Sequence, residues 1–175
     1  DYLLGRFLGS FTVLLFVFSG VLFGMIFGEF MPWHDPTDLL EFNFLAYLRT
    51  FLIVTLPTLF FGASLFFVTG ALSRNLVVVY TQGIILFVVF MLTKAITNEF
   101  WQAILDPFSL TTTTFVTKSW SALEKGTQSI PFFGGALMYN KLFWSSLGIL
   151  ALLYGYKKFN FNVVKNKKSK RKKVQ

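Results

Sequence analysis

Charged and apolar positions in this chain are sorted into separate blocks. No residue from Phe7 to Gly28 is charged, and a helix needs about 20 such residues to cross the hydrocarbon core of a bilayer. Phe51–Leu72 and Leu76–Thr93 read the same way, and a fourth apolar run covers Leu142–Tyr156. A water-soluble core would not confine its charges so strictly between hydrophobic blocks. The pattern predicts an all-α, polytopic transmembrane helix bundle with spans at about 7–28, 47–72, 76–96 and 138–158. These belong to a transmembrane domain of residues 1–159, followed by a basic tail over 160–175.

Residues 97–137, between the third and fourth spans, are too many for a simple connection. This external, partly re-entrant segment is expected to hold a short amphipathic helix and a break at Asp106-Pro107-Phe108. A second helix around Phe115–Leu123 and a glycine-rich approach at Gly134-Gly135 would follow. Phe115, Trp120 and Phe132 suit the outer leaflet, so the segment is either a re-entrant cap or a loop lying on the surface.

Charge sets the expected orientation. Nine bases (Lys157, Lys158, Lys165, Lys167, Lys168, Lys170, Arg171, Lys172 and Lys173) follow the fourth run, and basic residues favour the cytoplasmic side. Counting back through four crossings places Arg6 and Arg74 inside with them. Arg49, Lys94, Lys118, Lys125 and Lys141 then lie outside, as does an acidic first loop with Glu29, Asp35, Asp38 and Glu41. Eleven bases inside against five outside support this topology. Both ends of the segment are expected to be cytoplasmic, in an inner membrane. The tail also attracts anionic lipid. Aromatic side chains are not interleaved with its lysines, which argues against nucleic acid despite a net charge of +8. The 24 phenylalanines suit a surface in contact with lipid.

Within the spans a few residues stand out. Gly20, Gly24 and Gly28 recur every fourth position, which places them on one helix face as candidates for close helix packing. Pro57 lacks a backbone donor and is the candidate kink, with Thr55 and Thr58 near enough to serve the freed carbonyl. Gln82 is the strongly polar residue deep in the third span, where it either lines a pathway or bonds a neighbouring helix. Arg49, Lys94, Glu99 and Trp101 read as interface anchors.

Signatures of catalysis are missing. Without cysteine there is neither a disulfide nor a thiolate metal site. With His34 as the only histidine, a His-Glu-x-x-His zinc site is not possible, and no Gly-x-x-x-x-Gly-Lys-Ser/Thr loop is present to cradle ATP. Nothing in the sequence constrains Asp106 and Glu124 to act as an acid pair. No catalytic, cofactor-binding or metal-binding residue is therefore expected, and no enzymatic activity.

Several local words carry a resemblance. Asp1-Tyr2-Leu3-Leu4-Gly5-Arg6-Phe7-Leu8-Gly9 resembles the cytoplasmic entry to the third span of type 2 ABC exporter permeases. The ordered set Leu105-Asp106-Pro107-Phe108, Thr117, Trp120, Glu124-Lys125 and Asn140-Lys141-Leu142-Phe143-Trp144 is similar to Bacteroidetes permeases fused to an aminopeptidase-like domain. The resemblance implies that the four spans are the third to sixth of a six-span core belonging to a longer polypeptide. It also implies an ABC-type ATPase partner that hydrolyses ATP outside this chain, and a second permease core. The aromatic, apolar spans lean toward a lipidic or amphipathic cargo. Two other readings stay open: a non-transporting membrane scaffold, and a proton-coupled transporter using Glu29 or Glu99. Against the latter, neither carboxylate lies near a span centre, where coupling sites usually sit.

Overall fold

The computed structural model describes residues 2–31, 42–73, 75–121, 124–125, 128, 130–131 and 135–159. His34 and the acidic residues Asp35, Asp38 and Glu41, Arg74 in the inner loop, Gly134 and the tail 160–175 lie outside the described residues. The described chain is an all-α helical bundle with no strand. Helix α1 is Tyr2–Glu29, α2 is Phe44–Thr50, α3 is Leu56–Ser73, α4 is Leu76–Thr93, α5 is Glu99–Leu105, α6 is Leu110–Val116 and α7 is Gly135–Lys158. A π-helical turn at Phe51–Thr55 joins α2 to α3, so Phe44–Ser73 runs as one helical rod. This rod, α1, α4 and α7 are each long and apolar enough to cross a bilayer, as befits a multi-pass membrane protein.

Local chemistry sets the ends of these helices. Asn75 opens α4 by accepting from the Val77 amide, and Asn98 opens α5 by accepting from Phe100 and Trp101. The third span stops at Thr93, because Lys94 and Ala95 turn back onto Met91 and Leu92 through short i→i−3 hydrogen bonds. Pro57 acts on the rod as a change of helical register. It has no N–H for the Ile53 carbonyl, and the turn ahead of it is wound one residue wide, with the Leu56 amide bonded to Phe51.

The central packing is between α3 and α7, which run parallel. The Val54 carbonyl meets Lys141, Phe61 meets Gly148, and Val68 meets Gly155, so the contacts recur every seven residues on both helices. A seven-residue repeat is the period at which two helices stay in register by a slight left-handed wrap. Small residues permit the close approach that drives association in lipid. A Cβ on Gly148 would meet the Phe61 Cα at 3.2 Å, and one on Gly155 would meet Val68 Cγ2 at 2.8 Å. Valine is stiff about χ1 and does not swing aside easily. Gly155→Ala is therefore expected to destabilise the purified protein by about 1–2 kcal/mol, read as thermal unfolding in detergent. Val68→Ala in the same chain should recover most of the loss. A second-site change that recovers nothing would mean that the strain lies elsewhere.

The most apolar stretch of helix α1 buries no residue within the bundle. The N-terminal part of α1 rests on α3 through a ring cluster in which Phe7 is 5.4 Å from Phe67 and 6.1 Å from Phe60. At the three glycines expected to form a packing seam, a Cβ on Gly20, Gly24 or Gly28 would have no neighbour within 4 Å among the described residues.

Candidate functional site

A helical hairpin, α5 and α6, occupies the segment between the third and fourth spans and packs onto α7. Its second helix is Leu110–Val116, earlier than the expected Phe115–Leu123. The physical reason is the Asp106-Pro107 corner. A residue before proline is pushed out of the helical region, and Asp106 is extended at φ −71°, ψ 113°. Its carboxylate then accepts from the backbone amides of Phe108 and Thr111, which starts a new helix immediately and draws the threonine run 111–114 into it. Ser109, at the tip, has φ 61°, a left-handed conformation uncommon for a residue with a side chain.

The tip of the hairpin carries a knot of buried polar groups. Asp106 and Asn140 are fully buried, and Ser109 and Lys141 are 2% and 5% exposed. Lys141, counted among the outer bases and contained in the expected span 138–158, is therefore no solvent-facing charge. It lies inside α7 with Nζ enclosed by oxygen. Nζ donates to the Val54 carbonyl at 2.9 Å, the Thr58 hydroxyl at 2.6 Å and the Ser109 hydroxyl, which uses all three ammonium hydrogens. Thr58 passes its own hydrogen to the Val54 carbonyl, and Ser109 donates to Asn140 Oδ1 at 3.0 Å. Asn140 Nδ2 faces three carbonyls, of Ala103, Ile104 and Asp106, at 2.8–3.0 Å. With two hydrogens for three acceptors, one is shared. The Thr112 hydroxyl also donates to Ala103, and the Trp144 indole N–H to Ile104. These bonds cap the C-terminal carbonyls of α5, which a helix leaves open. The Asp106 carboxylate is the acidic group whose charge reaches Lys141, without a direct ion pair.

This knot lies deep along the rod. Thr58 precedes Ser73 by 15 residues, about 22 Å of helix, against a hydrocarbon thickness of about 30 Å. In a spanning arrangement the hairpin tip thus reaches into the bilayer beside the second and fourth spans.

Beside it is a cavity of about 370 Å³ between α1, the α2–π-turn segment and the residues that follow α6. Its α1 wall is apolar, including Val21, Leu22 and Met25, and the rest of its described lining includes Thr50, Thr55, Thr117, Gln128 and Lys125. The π turn borders both features, since Val54 serves the knot and Thr55 the cavity.

The other candidates are scattered. Glu29 accepts from the Tyr47 hydroxyl at 2.6 Å. Glu99 forms an exposed ion pair with Lys118, which alone among the described residues meets that description. Glu124 is at the surface, far in role from Asp106. Hydrogen bonds from the Ser121 amide and then its hydroxyl hold the Glu124 carboxyl below its ordinary range. Gln82 buries its amide oxygen without a partner in the groove between α3 and α4 lined by Leu65 and Thr69. No group of three metal-ligating side chains occurs among the described residues.

The chain matches no known protein family, and no curated protein or solved structure is detectably similar to it.

Proposed function

We propose that this chain is part of the membrane-spanning permease of an ATP-driven exporter of the type 2 ABC class. On this reading it lies in the inner membrane with both ends of the segment cytoplasmic, and it moves a lipidic or amphipathic substrate. The observation that carries the reading is the polar joint at Lys141. Ionisable groups at membrane depth are expensive, and when kept they mark pathways or moving parts. Here the charge ties an outer hairpin to two parallel spans at the edge of a cavity. In this mechanism the tied hairpin closes the outer end. Movement of α7 against α3, driven from the cytoplasmic side by a partner ATPase, exchanges the Lys141 contacts and frees the hairpin to open. Such a repacking between two discrete arrangements is a known route for switching. A second permease core completes the pathway.

A scaffold is the second reading, favoured by one observation: every hydrogen on the Lys141 ammonium is already satisfied. Two measurements on the complete permease separate the two. The exporter predicts co-purification with a nucleotide-binding subunit whose ATPase activity falls severalfold when the hairpin is locked. The lock is a short bis-maleimide between cysteines at Phe90 and Phe108, whose rings lie 5.6 Å apart, in a chain free of other cysteine. An intact preparation without any such subunit rejects the exporter. ATPase activity indifferent to the lock rejects the moving hairpin.

A further inference from the structure

We infer that the cavity between α1 and the π turn binds an anionic amphiphile that enters sideways from the lipid phase. The inference rests on the exporter reading only in calling this ligand the cargo; the binding itself rests on the cavity. Its volume, about 370 Å³, lies within the roughly 300–1,000 Å³ of small-molecule sites, enough for a headgroup and part of a chain.

The cavity combines two chemistries in its lining. Val21 and Met25 line it yet remain 58% and 59% exposed, so its apolar wall is continuous with the outward surface of α1. A hydrocarbon tail can therefore pass from the surrounding lipid to the cavity without crossing a polar barrier. Among the described lining residues Lys125 is the sole cation and none is a carboxylate, and Lys125 makes no ion pair with a described residue. The nearest acid on α1, Glu29, is already engaged by the Tyr47 hydroxyl. Thr50 and Thr55 add hydroxyls to the lining. A negative headgroup with an apolar tail matches this lining, whereas a cation or a sugar without a tail matches only part of it. Because Thr55 belongs to the turn whose Val54 carbonyl holds Lys141, an occupant presses on the element that anchors the hairpin.

The test uses the complete permease in phosphatidylcholine nanodiscs with two photoreactive probes, a diazirine-bearing palmitate and its uncharged alcohol counterpart. Palmitate should label the Val21–Met25 stretch about threefold more than the alcohol, the scale of one exposed ion pair. Lys125→Gln should remove that preference, and Val21→Trp should lower labelling by both probes. Both substitutions fall on exposed positions, and the unfolding temperature of each variant is measured alongside. Equal labelling by acid and alcohol, or labelling that survives Val21→Trp, overturns the site and leaves annular lipid only. Co-purifying ATPase is scored on the same samples. A bound ATPase without a palmitate preference removes the ligand and spares the exporter, while the preference without an ATPase does the reverse.

Discussion

Lys141→Ala is expected to lower the stability of the purified protein by about 3 kcal/mol and to make the α5–α6 hairpin open to protease. The substitution deletes three donors at once and takes the ammonium from the Val54 carbonyl, leaving the Thr58 hydroxyl as its remaining side-chain donor. The two hydroxyls can rotate toward other acceptors, but the carbonyl cannot turn. Lys141→Met keeps most of the buried stem and loses only the donors, so it should fall between wild type and Ala. The check is thermal unfolding in detergent combined with limited proteolysis between residues 99 and 117. A methionine variant as stable and as protease-resistant as the wild type would show that the hairpin is tied down by apolar packing instead.

Asn140→Leu should be of similar severity, about 2–4 kcal/mol, for a different reason. Asn140 is fully buried and closes the end of α5 with both amide hydrogens. Leucine fills the space and donates nothing. Ala103 and Ile104 keep Thr112 and Trp144, whereas the Asp106 carbonyl retains only a 3.4 Å contact from the Ser109 amide. The loss should therefore appear first as faster amide exchange at the 106–109 corner, before global unfolding. Asn140→Asp should be no milder, since a carboxylate there accepts where donors are required and stands beside Asp106. Unchanged exchange at the corner in Asn140→Leu would sink this account.

The spans could be read from the sequence because length and the absence of charge suffice to define them. The expected fourth span, 138–158, already contained Lys141, yet the residue was counted with the outer bases because the uncharged run begins only at Leu142. Ala136-Leu137-Met138-Tyr139 lies just upstream, with no glycine or proline between 136 and 147. A lysine inside such a span demands oxygen partners. The identity of those partners was not legible. Val54 and Lys141 are 87 positions apart, and only the parallel seam of α3 and α7 brings them together. Pro57 was recognised as a perturbation, but a bend and a widened turn remove the same hydrogen bond, and the choice between them is made by what packs alongside.

That separation also dictates an order of assembly. The rod containing Val54 and Thr58 emerges from the ribosome long before Lys141 exists, and the whole of α4 and the hairpin must be synthesised in between. Until then the Val54 carbonyl has the local Thr58 hydroxyl as its side-chain donor, and the groove along α3 has lipid in place of a helix. The fourth span is the one carrying this charge, so its insertion and its docking are coupled: the ammonium finds its oxygens only when the groove is still open to receive it.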